Sequence, residues 1–120
     1  MPYVDGFIVP VPKKNLQAYV RLSKKSGRIW REHGALDYRE WVAEDVKVGK
    51  LTSFPRSVKL KAGETVVFAW ITYKSRAQRD RINARVMTDP RLKNMFGENS
   101  RPPFDGKRMI YGGFESLVKV

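Results

Sequence analysis

A chain of 120 residues is long enough to bury a core without covalent staples and short enough to form one domain, spanning residues 1–120. It contains no cysteine, which excludes a disulfide framework, a thiolate zinc site, an iron–sulfur cluster and a cysteine nucleophile. The formal charge of +12, from 24 basic against 12 acidic side chains, raises nucleic acid or an anionic surface as a partner class and makes the placement of that charge the informative quantity.

The opening Met1-Pro2-Tyr3-Val4-Asp5-Gly6 has no basic leader and sets a carboxylate where a signal peptide needs an apolar run. No apolar stretch approaches the roughly 20 residues that cross a bilayer, so a cytoplasmic protein without membrane insertion is expected. Tyr3 to Val11 is β-branched and aromatic, with Asp5 its only charge and with Pro10 and Pro12 as stops, and predicts a first strand. From Lys13 to His33 the period becomes helical through Leu16, Tyr19, Val20, Ser23, Gly27 and Trp30. Pro12 suits the first helical position, and Gly34 suits a left-handed C-terminal cap.

Ala35 to Val46 resumes extended character as a second strand, followed by the basic turn Lys47-Val48-Gly49-Lys50. Residues 51–63 stay open between a loop at Thr52 to Pro55 and a ribbon over Ser57 to Leu60. Glu64 to Tyr73 is apolar on both parities and is the strongest strand signal in the chain. Ser75-Arg76-Ala77-Gln78 matches a capping box that opens a helix to about Met87, with Ala77, Ile82, Val86 and Met87 as its inner face. Asp89-Pro90 begins a short further helix toward Phe96, and Gly97 to Pro103 reads as loop. Lys107 to Val120 closes the chain as a strand, in which Gly112-Gly113 marks a bulge or a close backbone contact.

The order βαββαβ corresponds to an α+β, ferredoxin-like arrangement, a four-stranded antiparallel sheet with two helices on one face. Two helices cover one face only, yet Val66 to Ile71 and Met109 to Phe114 carry apolar side chains on both. The second face therefore needs a lid, and the same face of a second copy, a homodimer, is the simplest. A sheet face left open for RNA would call for aromatic and basic strand residues in a pattern that this chain lacks.

The excess charge is concentrated. Lys13 to Gly34 balances at +6 and Lys74 to Lys93 at +5, so nearly all of it falls on the two helical segments. Such a face can hold nucleic acid by salt-sensitive phosphate contacts through Arg21, Lys25, Arg79 and Arg85. A solvated helix surface is the plainer explanation.

Several blocks resemble the DUF1428 family of bacterial proteins of unknown function from end to end. They are Tyr3-Val4-Asp5-Gly6-Phe7, Glu32-His33-Gly34-Ala35-Leu36, Trp41 with Asp45-Val46, Glu64 to Ile71, Met87-Thr88-Asp89-Pro90-Arg91 and Pro103 to Phe114. The resemblance implies a dimeric α/β barrel, in which two ferredoxin-like sheets pack face to face, and brings no catalytic residues with it. The chain differs from the family chiefly in being so basic.

Few residues can carry chemistry. His33 is the only histidine, at the end of the first helix, where the dipole favours an imidazolium. It is a candidate general base, or an axial haem ligand by analogy with relatives of the barrel superfamily, against a plainer capping role; one histidine cannot build a His-rich metal site. Asp5 interrupts an apolar strand and needs either a polar pocket or an arginine such as Arg108. Glu44 and Asp45 adjoin on one strand and so face opposite sides. Tyr111 joins His33 and Asp5 as a candidate acid or base, and Trp41, Trp70, Tyr73 and Arg108 are candidate ligand-binding residues, the aromatics with plain core as the alternative. No phosphate-binding loop, nucleophile elbow or paired metal motif occurs, and no cofactor is expected. A homodimeric small-ligand-binding or accessory protein is the first expectation. A cofactor-free monooxygenase or isomerase acting on a small aromatic or polyketide-like compound is the second, and non-specific nucleic-acid binding the third.

Overall fold

The structure is a computed structural model that describes residues 1–96 and 100–120. Its elements are β1 (Tyr3–Pro12), a 3₁₀ turn (Lys13–Asn15), α1 (Leu16–Glu32), β2 (Asp37–Val42), α2 (Phe54–Ser57), β3 (Glu64–Tyr73), α3 (Arg76–Met87), α4 (Pro90–Phe96) and β4 (Ile110–Glu115). The sheet runs β2-β3-β1-β4 with every neighbouring pair antiparallel. That order is the ferredoxin-like one. The sheet is open, with β2 and β4 as edges, and the chain alone does not close into a barrel.

The apolar run in β3 is central because it is paired on both sides, with β1 from Tyr3↔Tyr73 to Pro12↔Glu64 and with β2 from Asp37↔Thr72 to Val42↔Val67. Pro10 and Pro12 do not stop β1. Its ladder with β4 ends at Ile8↔Ile110, so the prolines lie where one side of the strand has no partner. Residues of odd number in β1 and β3 face the helices. Val9, Val11, Val67, Ile71 and Tyr73 are buried there.

Helix α1 ends as its sequence predicts. Gly34 adopts φ +117°, the Gly34 N–H donates to Arg31 O (3.1 Å) and the Ala35 N–H to Trp30 O (3.0 Å), a Schellman closure that a side chain at residue 34 would strain. Its inner face is Tyr19, Ser26, Gly27 and Ile29, whereas Val20 turns out to solvent. In α3 the Ser75 hydroxyl caps the helix by accepting from the Gln78 N–H (3.1 Å). Ile82 and Val86 are buried as expected, but Ala77 and Met87 are exposed, and Arg79 and Asn83 turn inward instead.

Further boundaries move. Within 51–63 a single helical turn, α2, is capped by Ser53, whose hydroxyl accepts from the Arg56 N–H (3.1 Å). The closing strand runs only from Ile110 to Glu115, without residues 107–109 and 116–120, and the second covers only Asp37–Val42, so Glu44 and Asp45 fall in a bend and not on a strand. Of the loop read over Gly97 to Pro103, residues 97–99 lie outside the described residues.

The molecule measures 42 × 38 × 20 Å, and its thin dimension matches one sheet and one layer of helices at about 10 Å each. No helix layer covers the other sheet face, where only Pro10 and Val66, at the end that meets α2, are buried. That face carries Trp41, Phe68, Ile110 and Phe114, all exposed. Ring centroids on this side step from Phe54 to Phe68 (5.9 Å), on to Trp70 (5.7 Å) and on to Trp41 (5.4 Å).

Candidate functional site

The core is divided. One cluster holds Ile29, Ala35, Ile71, Tyr73, Ile82, Val86 and Leu92, and the other Val9, Val11, Tyr19 and Val67. Residues from both line a cavity of about 620 Å³ between the helix-facing side of the sheet and α1 and α3. That volume suits a small organic molecule. Its walls are mainly apolar, with Phe7 and Ile71 on the sheet, Leu22 and Trp30 on α1, and Phe104 and Met109 on the segment before β4.

Two polar stations interrupt these walls. At the first, Asp5 accepts from the Arg79 Nε–H (3.0 Å) and from the Tyr73 hydroxyl (3.2 Å), while Asn83 Oδ1 lies 3.4 Å from the same hydroxyl. Burial would lower the Arg79 pKa, but Asp5 raises it and the net shift is upward. Burial and then the Asp5 charge push the Tyr73 phenol above its ordinary range. Arg79 also bonds Asp80 (2.8 Å) and the Tyr3 hydroxyl (3.4 Å) and stands 5.0 Å over the Tyr3 ring, so its charge is shared between two carboxylates.

The second station is Glu40, in β2. Its carboxylate accepts from the hydroxyls of Tyr19, Ser23 and Tyr38 (3.3 Å for Tyr38). Burial, followed by the Glu40 charge, raises both the Tyr19 and Tyr38 phenols above their ordinary range. Tyr38 can lie flat against α1 because residue 27 has no side chain, and a Cβ there would sit 2.8 Å from the ring. Asp5 and Glu40 are two strands apart and two residues out of register through Ile71 and Ala69. Their Cα atoms are therefore separated by roughly 12 Å.

The predicted site residues are dispersed. Asp5 lines the cavity, and its partner is Arg79 and not Arg108. Tyr111 lines it from β4 but is 71% exposed. Tyr73 is buried and reaches the site through its bonds to Asp5 and Asn83. His33 does not line it. Its Nε2 pairs with Asp89 Oδ2 (2.9 Å) where α1 ends and α4 begins, beside Arg91 and Glu32.

Trp41 and Trp70 lie on the opposite, uncovered sheet face, where the Trp70 Nε1–H donates to Asp37 (3.3 Å). Arg108 bonds Glu64 (2.6 Å), Asp105 (2.8 Å) and the carbonyls of Val58 and Lys59, and so clamps the segment before β4 to the start of β3. Among the described residues no group of histidines and carboxylates could hold a metal ion. Glu40, Trp30, Tyr38 and Asn83 were missed because their sequence signals are those of ordinary strand and helix residues; only the Tyr38-x-Glu40 spacing, which sets both side chains on one strand face, could have pointed to them.

The basic residues also divide. Lys13, Lys14, Arg21, Lys24, Lys25, Arg28 and Arg31 are exposed along α1 and the turn before it, but Arg79 is withdrawn into the cavity and cannot contribute to an outer charged face. Lys24, Arg28 and Arg31 line an outer groove of about 530 Å³ that shares Tyr19, Ser23, Tyr38 and Glu40 with the cavity. Among the described residues no helix is long and apolar enough to cross a membrane.

Comparison with known proteins adds kinship without an activity. The model of a family described as "Protein of unknown function (DUF1428)" matches residues 2–106. The "Uncharacterized protein YbaA" of Escherichia coli strain K12 is 50% identical over 118 residues, 98% of each chain, and the same figures hold for its counterpart in Shigella flexneri. Among solved structures, a dimeric ferredoxin-like protein from an uncultured marine organism superposes with a TM-score of 0.59 at 14% identity, over the whole of both chains. That likeness concerns the fold alone.

Proposed function

The chain belongs to the DUF1428 family, and on that premise we propose that it is a cytoplasmic homodimer that binds a small organic ligand in the cavity of each subunit. The observation that carries the reading is the 620 Å³ cavity, apolar over most of its wall and fitted with the Asp5–Arg79 and Glu40 stations. The cavity opens to solvent past Tyr111 and Met87, which gives a small molecule a way in. The uncovered sheet face supports the dimer, since Trp41, Phe68, Ile110 and Phe114 form an apolar surface that a second copy buries isologously. The marine ferredoxin-like neighbour, itself named as dimeric, shares the sheet that would make that contact.

An acid–base enzyme for small aromatic compounds is a second reading, supported by the presence of Asp5 and Tyr111 in one cavity. It would work without His33, which is engaged with Asp89 outside it. Nucleic-acid binding would have to rest on the exposed cations of α1 together with those of α3, Arg76, Arg81 and Arg85, without Arg79.

Native mass spectrometry tests the dimer and the ligand together. The expected result is a species of about twice 13.9 kDa carrying a small-molecule adduct, with Phe68→Glu yielding monomers and Ser26→Phe, which fills the cavity, losing the adduct. A wild-type monomer sinks the dimer. Protein free of adduct that no small aromatic compound stabilises against heat sinks the ligand reading.

A further inference from the structure

The two polar stations of the cavity are not equivalent. Asp5 is neutralised by Arg79, and Arg79 is in turn paired with both Asp5 and Asp80, so neither offers an uncompensated charge to a ligand. Glu40 has no such partner. The ion pairs among the described residues engage Asp5, Glu32, Asp37, Glu64, Asp80, Asp89 and Asp105, and Glu40 takes part in none of them. Its three neighbours are hydroxyls, which satisfy some of its acceptor positions without cancelling its charge.

The surroundings of Glu40 are aromatic on both sides. Tyr19 meets Phe104 edge to face with centroids 5.6 Å apart, and Tyr38 meets Trp30 at 6.2 Å. All four rings line the cavity. A carboxylate set among aromatic faces, at the end of an apolar chamber, is the chemistry that receives an organic ammonium group: the carboxylate supplies the counter-charge and the rings supply cation–π attraction.

We propose that the cavity takes a small organic cation, an apolar or aromatic body carrying an ammonium group, and that Glu40 is its counter-ion. This assignment rests on the small-ligand reading and adds the chemical class of the ligand. The net charge of +12 does not oppose it decisively. The exposed cations of α1 act through water, where their field is screened within about 8 Å at physiological salt, whereas the ammonium and Glu40 would be in contact inside a cavity of lower dielectric. Lys24, Arg28 and Arg31 stand on the outer side of the wall that Glu40 shares, and none of them pairs with it. An anionic ligand would instead have to approach the one uncompensated carboxylate of the chamber.

Three indoles of similar size separate the possibilities by isothermal titration: tryptamine, its neutral analogue tryptophol, and the anion indole-3-propionate. Tryptamine should bind about tenfold or more tightly than tryptophol, with indole-3-propionate weakest. Glu40→Gln keeps an accepting oxygen and the side-chain volume, and should abolish the tryptamine preference, so that tryptamine and tryptophol bind alike in the variant. A purely structural Glu40 would shift the melting temperature of that variant without altering the ratio.

Equal binding of tryptamine and tryptophol by the wild type, or a preference for the anion, overturns the assignment while leaving the cavity a ligand site. The wild-type ranking needs no variant and decides the question even where Glu40→Gln fails to fold. Absence of binding by all three indoles, together with protein free of any adduct, removes the assignment and the small-ligand reading alike.

Discussion

Gly27 lies under the ring of Tyr38, and the pair shows how one absent side chain shapes the site. A methyl group at residue 27 would come 2.8 Å from Tyr38 Cδ1 and 3.0 Å from Cε1, against a ring whose hydroxyl is tied to Glu40. Alanine is the better helix former by about 1 kcal/mol, but crowding a packed ring costs about 1–3 kcal/mol. Gly27→Ala should therefore lower stability by about 1 kcal/mol in urea unfolding, and Tyr38→Leu in the same chain should recover that loss. Gly113 acts in the same way at the other station, where a Cβ would collide with the Tyr3 hydroxyl and the Arg79 guanidinium. The adjacent glycines of β4 carried a visible sequence signal, a close backbone contact, and residue 113 has one. Gly27 carried none, because a glycine within a helical pattern reads only as a weak former.

At the scale of elements, local rules held where the deciding interaction is itself local. Ser75 caps α3 through the Gln78 N–H, and its replacement by alanine should cost about 1 kcal/mol, read as a shift of the unfolding midpoint at constant slope. An unchanged midpoint would mean that the tertiary packing of Ile82 and Val86 alone holds the helix. The Gly34 closure of α1 was legible for the same reason, since a left-handed cap is chosen by the residue that adopts it. The inner face of α3 was not. Apolarity favoured Ala77 and Met87 as inward residues, but Asp5 on β1 draws Arg79 in, and the rotation that brings Arg79 and Asn83 to the sheet turns Ala77 outward. A buried carboxylate on one element thus set the orientation of another, which no window along α3 contains.

The whole molecule responds to pH at both ends of the scale. The Arg108 hydrogen bond holds Glu64 below its ordinary 4.5, and hydrogen bonds from Arg91 and then His33 hold Asp89 well below its ordinary 3.8. Through that window the unfolded chain binds more protons than the native one. The stabilisation is complete above about pH 4.5 and is lost as the pH falls through the depressed native values. In alkali the sign reverses in origin but not in effect. Burial, Glu40 and Asp5 raise Tyr19, Tyr38 and Tyr73 above their ordinary 10.0, so the native state holds protons that the unfolded chain has released, and stability falls again above about pH 10. Circular dichroism with tyrosinate absorbance at 295 nm should show these three phenols ionising only as the fold is lost. Ionisation before any loss of structure would mean that the cavity wall opens to solvent.

The order of strands and helices, the two-sided apolar character of β3 and the helix caps were determined by the sequence itself, because periodicity and capping are written in neighbouring residues. The separation of the two sheet faces was equally legible as a need, since two helices cannot cover four strands twice. Only the tertiary structure decided which aromatics serve which face: Trp41 and Trp70 stand on the open side, and Trp30 and Tyr38 in the cavity. It alone gave Asp5 to Arg79 and left Glu40 without a cation. The physical reason is that charge compensation and hydrogen bonding depend on distance between elements far apart along the chain, 21 residues for Tyr19 and Glu40 and 74 for Asp5 and Arg79, and such distances exist only once the sheet has formed.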